Sequence, residues 1–156
     1  MTAPKNAPLS TPPLPVQLKI AVAWTSFTLL YAYVDILGFY KPGVIDGILN
    51  GRIWEFDISP TLLTVFFVGV LPPVVMVMLS VVLPARVGRI ANLVVAALLI
   101  PYSLFNAVGE SWAWAGFYAL SIGVELLLLA YILRTAWTWP RVGSRVDAAD
   151  VEAARR

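Results

Sequence analysis

From Asp57 to Arg86 no charged residue interrupts the chain, and none does from Arg89 to Glu110. Two further intervals are each broken once, Lys19 to Lys41 by Asp35 and Glu110 to Arg134 by Glu125. Each holds roughly 20 residues or more, the length a helix needs to cross a hydrocarbon layer about 30 Å thick. The runs are continuously apolar and do not alternate, which selects helices over a barrel. The pattern predicts an all-α, antiparallel four-helix transmembrane bundle, with helices at about 19–40, 61–83, 90–109 and 112–134. Composition agrees: 60% of residues are hydrophobic and 13% charged, against about 25% charged in soluble domains.

The net charge of +2 reads as topology. Lys5, Lys19, Arg86, Arg89, Arg134, Arg141, Arg145, Arg155 and Arg156 fall on one side of an alternating bundle, and only Lys41 and Arg52 on the other. By the positive-inside rule both termini are cytoplasmic. No basic patch is interleaved with exposed aromatics, so nucleic acid is not an expected partner. The lipid bilayer is, together with a second copy of the chain or another membrane protein.

The chain contains no cysteine and no histidine. Disulfides, His-ligated haem, His/Cys zinc sites and every catalytic triad needing an imidazole or thiolate are excluded. No cofactor is expected. No nucleotide-binding loop or activated nucleophile is visible, and a membrane enzyme ranks last among the readings.

Residues 1–18, with Pro4, Pro8, Pro12, Pro13 and Pro15, read as an extended cytoplasmic tail. They lack the pattern of a cleavable signal. The longest connection, Lys41 to Pro60, is expected outside, as a short helix (Val44, Ile45, Ile48, Leu49) and an extended stretch (Trp54, Phe56, Ile58) lying on the membrane surface. Pro84 to Arg89 predicts a tight turn between helices two and three. Trp112 and Trp114 mark one interface, Trp137 and Trp139 the other. The polar tail from Arg141 carries a marginal helix between Asp147 and Ala154.

Charge in hydrocarbon is costly and marks a site or a buried contact. Trp24, Thr28, Tyr31 and Asp35 share one face of helix one, as Tyr118, Ser121 and Glu125 do on helix four. Helix three adds Asn92, Ser103, Asn106 and Glu110, and the three stripes are expected to converge on the bundle interior. From the rise per residue, Glu125 lies roughly 20 Å below the outer end of its helix. Tyr31 and Tyr102 stand at a common level roughly 18 Å from the inner ends, and Asp35 and Asn106 within about 8 Å of the outer boundary. The expectation is a polar path descending to Glu125, without a direct Asp35–Glu125 contact.

Pro72, Pro73 and Pro101 leave the carbonyls of Val68, Gly69 and Ala97 without their usual donors. Ala115, Ala119 and Gly123 form a small-residue strip that permits close helix approach. It is expected to seat helix four against its own bundle, with a dimer face as the alternative.

Tyr31-Ala32-Tyr33-Val34-Asp35, followed by Tyr40-Lys41-Pro42-Gly43-Val44-Ile45, resembles a signature of a bacterial family of small four-span integral membrane proteins catalogued as a domain of unknown function. The resemblance extends through Asn50-Gly51, the Pro84-to-Arg89 turn and the Trp137-to-Pro140 close, covering about Leu18 to Pro140. It implies the four-span architecture and a bacterial inner membrane, and brings no activity. The residues themselves support two functions. One is binding or translocation of a small solute or ion, with Asp35 and Glu125 as charged members and Tyr31, Tyr102, Ser121 and Asn106 as polar lining. The other is an accessory or scaffold subunit of a larger membrane complex.

Overall fold

A computed structural model of the chain describes residues 12–140. The remaining tail residues, including the expected helix at Asp147 to Ala154, lie outside the described residues. Helix α1 spans Val16–Gly38, α2 Val44–Leu49, α3 Pro60–Val82, α4 Ala85–Phe105 and α5 Ala115–Trp137. Strands β1 (Arg52–Ile53) and β2 (Phe56–Asp57) form a small antiparallel hairpin. The four long helices are each long and apolar enough to cross a membrane.

Local chemistry sets the ends. Helix α1 starts as soon as the prolines stop, with Lys19 N–H already bonded to Pro15 O, so the helix begins inside the expected tail. Lysine did not mark the boundary because its long stem carries the charge away from the backbone. At the start of α3, Ser59 Oγ accepts from Leu62 N–H at 3.1 Å and Pro60 occupies the first helical position, where its missing N–H costs nothing. Helix α4 starts directly after Pro84, which places Arg86 and Arg89 within the helix rather than before it. It ends at Phe105, short of the expected 109, and Gly109 turns the chain at φ 85°. A 3-10 turn, Trp112–Trp114, then leads into α5. Helices α3 and α4 stay helical through their prolines.

The connection after α1 gives the expected short helix, but its extended stretch folds back on itself. Arg52 pairs with Asp57 and Ile53 with Phe56. Trp54 makes the turn at φ 52°, and its ring packs edge-on against Phe66 of α3.

The long helices close into a ring in the order α1, α3, α4, α5, each antiparallel to both neighbours, so that α1 lies diagonal to α4. Packing is closest within the pairs α1/α3, α1/α5 and α4/α5, and sparsest between α3 and α4 despite their short link. One end of the bundle carries Val16, Val82, Ala85 and Trp137, here the terminal end. The other carries Gly38, Pro60, Phe105 and Ala115, the loop end.

The core lies toward the terminal end. Ile20, Ala23, Trp24 and Phe27 of α1 meet Met76 of α3, Ala96 and Leu99 of α4, and Leu129, Ile132 and Ala136 of α5. Lipid is as apolar as these side chains, so close packing and polar bonds between helices, not burial from water, must hold them together. One such bond network sits here. Trp24 Nε1–H donates to Asn92 Oδ1 at 2.6 Å, and Asn92 Nδ2 donates to Gly88 O at 2.7 Å. The Ser80 hydroxyl lies 2.6 Å from Met76 O and 3.0 Å from Asn92 Oδ1. Arg89 completes this end by donating to Ala136 O and Trp137 O, the last carbonyls of α5, where a cation complements the helix dipole.

Candidate functional site

Loop-ward of Trp24 and Phe27 the interior changes from apolar to polar. Tyr31 follows Phe27 by one turn on the buried face of α1, and the rings of the two stack. Across the bundle Tyr102 of α4 reaches the same level, and the two phenol oxygens lie 3.0 Å apart. Tyr102 fits because Gly69 has no side chain: a Cβ there would stand 3.1 Å from the phenol oxygen. The hydroxyl therefore rests against the stretch of α3 whose Gly69 carbonyl has lost its helical donor to Pro73.

Glu125 of α5 is 1% exposed. Its Oε2 has no hydrogen-bond partner, and neither does Ser103 Oγ of α4, which is equally buried and stands beside the carboxyl group. Thr28 Oγ1, one turn of α1 nearer the core than Tyr31, is a third buried oxygen without a partner. Buried polar atoms are nearly always satisfied in native proteins, so these three oxygens are the places among the described residues where a hydrogen-bonding partner is wanting.

The expected lining residues divide. Tyr31, Tyr102 and Glu125 come together in the interior, and Asn106, half-buried at the C-terminus of α4, stands near the Tyr31 phenol. Asp35 continues the Tyr31 face, but it is exposed near the loop end of α1 rather than enclosed. It stands one turn before the end of α1. No direct Asp35–Glu125 hydrogen bond forms among the described residues. Ser121 is buried, but its hydroxyl lies 3.3 Å from Tyr118 O of its own helix. It back-bonds there, one turn from Glu125 on the same helix.

At the loop end, Lys41 Nζ donates to both carboxylate oxygens of Glu110, at 2.7 and 2.6 Å, and lies 3.2 Å from the Tyr118 hydroxyl. Tyr118 in turn donates to Glu110 Oε1 at 2.8 Å. The Trp114 and Tyr118 rings flank the ammonium at 5.6 and 5.1 Å, within cation–π range. Partial burial by itself pulls the Lys41 ammonium down; the bonds to Glu110 and Tyr118 and the Glu110 charge outweigh it and hold it above its usual range. For Glu110, burial pushes up, and the bonds and charge of Lys41 and the Tyr118 bond bring it below the usual carboxylate range. Glu110 is thus paired in the connection beyond α4 and does not extend the interior stripe.

The small-residue strip also departs from expectation. Ala115, Ala119 and Gly123 do not seat α5 against the bundle; they line an open groove of about 460 Å³, with Glu110, Ser111 and Tyr118 toward the loop end and Ile122 and Leu126 beyond. A Cβ at Gly123 would meet nothing within 4 Å.

Residues 16–142 match a family described as Family of unknown function (DUF6326). The chain belongs to this family. The match takes in all four long helices, the hairpin and the Lys41–Glu110 pair, so the DUF6326 unit and the bundle coincide. Comparison with curated proteins and with solved structures returned no match.

Two arrangements in this DUF6326 member escaped sequence reasoning. Trp24 and Ser80 lie 68 and 12 positions from Asn92 along the chain; Trp24 and Asn92 stood out on separate stripes, and Ser80 did not. Lys41 and Glu110 lie 69 positions apart. Their signal was opposite charge at the two helix ends that meet on one side of an alternating bundle.

Proposed function

We propose that this membrane protein binds a small solute or ion in the polar section between the loop-end mouth and Glu125. The observation that carries the reading is the Glu125 carboxyl, 1% exposed with Oε2 unpartnered, beside the unpartnered Ser103 hydroxyl. Tyr31, Tyr102 and Asn106 supply further polar contacts, and Asp35 at the mouth attracts positive charge. The ligand this set favours is one that donates hydrogen bonds or carries positive charge, because the set is rich in acceptors and holds two carboxylates. If the termini are cytoplasmic, as the basic residues indicate, the site is reached from outside. The packed layer of Trp24, Phe27, Leu129 and Ile132 separates it from the terminal end, so translocation requires that layer to open, whereas binding does not.

Protein in nanodiscs treated with a membrane-permeant carbodiimide tests the reading, with Glu125 modification followed by mass spectrometry during titration with alkali, ammonium and small-solute series. Protection by a ligand, and loss of its binding in Glu125→Gln, is expected. Unchanged modification throughout, with equal solute flux by wild type and Glu125→Gln in liposomes, removes Glu125 from the function.

The accessory-subunit reading draws on the loop end, where Tyr40, Leu49 and Trp54 are 81%, 80% and 74% exposed. Co-purification with a stable membrane partner, lost in Trp54→Ser, favours it. Recovery only as a self-assembled species in mild detergent counts against it.

A further inference from the structure

Charge among the described residues is sorted between the two ends of the bundle. Lys19, Arg86, Arg89 and Arg134 stand at or near the terminal end. Asp35, Asp46, Glu55, Asp57 and Glu110 stand at the loop end or in its connections, and Glu125 is enclosed between the helices. At the loop end Lys41 and Arg52 find carboxylates in Glu110 and Asp57. The described residues place no carboxylate among the terminal-end cations. Helix α4 sharpens the imbalance. Its first turn has no side-chain cap and no acidic residue, although the dipole there favours negative charge, and Arg86 and Arg89 occupy its first two turns instead.

Between α4 and α5, toward this end, lies an open groove of about 500 Å³, lined by Leu93 and Ala97 of α4 and by Leu133, Arg134 and Trp137 of α5. Arg134 is its one charged lining residue, and its guanidinium makes no ion pair among the described residues. Arg89, one turn before Leu93, bonds the last carbonyls of α5 and lies over the Trp137 ring at 5.9 Å. It adds positive charge from across that ring. An aliphatic wall alone would accept any acyl chain or another helix; the cation on the wall decides between them. A second copy of this chain, docked symmetrically in the same bilayer, would set its own Arg134 against this one. Guanidinium groups pair instead with phosphate oxygens.

We propose that the α4/α5 groove holds one anionic phospholipid, its phosphate at Arg134 and an acyl chain along Leu133, Leu93 and Ala97. Basic pockets between membrane helices take such headgroups, and Trp137 marks the level at which headgroup gives way to chain. The site is separate from the Glu125 section and stands whether or not Glu125 binds anything.

Purified protein in detergent, titrated with dioleoyl phosphatidylglycerol or dioleoyl phosphatidylcholine and followed by native mass spectrometry, tests the proposal. Wild type should bind its first phosphatidylglycerol about five-fold or more tightly than phosphatidylcholine. Arg134→Gln should lower phosphatidylglycerol affinity about five-fold, the worth of one basic residue at a lipid surface, and leave phosphatidylcholine unchanged. Arg52→Gln removes the same charge from the loop end and should change neither. Ala97→Phe fills the aliphatic wall without touching charge and should weaken both lipids. Equal binding of the two lipids by wild type, or no greater loss in Arg134→Gln than in Arg52→Gln, overturns the proposal. So does a dimer that phosphatidylglycerol fails to displace from the groove.

A second measurement needs only the wild type. Phosphatidylglycerol with a diazirine on its acyl chain, irradiated in phosphatidylcholine nanodiscs, should label residues 93–97 and 133–137 ahead of the other helices. Unlabelled phosphatidylglycerol should compete, and phosphatidylcholine should not. Label spread evenly over the four long helices means annular lipid alone, and the assignment then falls.

Discussion

Trp24 and Asn92, on helices that face each other diagonally, are joined by an indole N–H bond of 2.6 Å through the middle of the bundle. Asn92 also stands 3.0 Å from Ser80 of α3, so one amide ties three helices at the level where the apolar core is densest. Replacing it strands the Trp24 indole N–H, whereas the Ser80 hydroxyl keeps Met76 O as its acceptor. Asn92→Leu is expected to destabilise the fold by about 1–3 kcal/mol, measured by reversible unfolding in mixed micelles. Asn92→Asp keeps an acceptor for Trp24 and should cost less than leucine if the acceptor oxygen is what matters.

Gly69 and Tyr102 are matched in size. Gly69→Ala places a methyl group 3.1 Å from the phenol oxygen, displacing Tyr102 from Tyr31 and costing about 1–3 kcal/mol. Tyr102→Phe removes the crowded atom. In a double-mutant cycle the pair should therefore cost less than the sum of the single variants, with a coupling of about 0.5–3 kcal/mol.

Function and stability should oppose each other at Glu125. A buried carboxyl group with an unpartnered oxygen weakens the fold unless a ligand fills the gap. Glu125→Leu should raise the unfolding free energy by about 1–3 kcal/mol and at the same time abolish ligand protection of the site. A loss of stability would show that the carboxyl group serves mainly to hold the helices in register.

The Lys41–Glu110 pair sets a pH window. Glu110 is held below its ordinary 4.5, so its contribution is complete above that value and is lost as pH falls through the lowered folded value. Lys41 is held above its ordinary 10.5, so its contribution is complete below that value and fades as pH rises through the raised one. Thermal unfolding of wild type should show a plateau between these limits and a decline in acid. Glu110→Gln should begin lower and lose the component of the acid decline that belongs to this carboxylate.

Orientation is open to a direct test because the chain has no cysteine. Single cysteines placed at Glu55 in the hairpin and at Arg86 near the terminal end are both exposed. An impermeant maleimide applied to intact cells should label Glu55→Cys and spare Arg86→Cys. The opposite pattern would reverse the assignment of the termini and the side from which the Glu125 section opens.

Four spans could be read from the chain alone because hydrocarbon excludes charge, and the charged residues therefore measure out the intervals between them. Helical periodicity likewise turned Tyr31 and Glu125 inward, since a lipid-facing surface has no use for them. The positions of individual charges were less legible. Long side chains decouple charge from backbone, which shifted the starts of α1 and α4. Helical spacing gives a side chain's face and not its exposure, which left Asp35 exposed near the end of α1 although it continues the Tyr31 face. Ser121 is buried as its spacing implies, and its hydroxyl bonds Tyr118 O of its own helix, a partner that periodicity does not register.

By itself, the order of residues established that this chain makes helices long enough for a membrane and which stripe of each is polar. Those properties follow from a solvent that accepts neither charge nor an unpaired peptide group. Tertiary structure alone decided that Lys41 meets Glu110, that Tyr102 rests on Gly69, and that α5 turns its small residues to an open groove. Such pairings depend on the ring order and rotation of the helices, which arise from packing between distant segments and leave no periodic trace in any one of them.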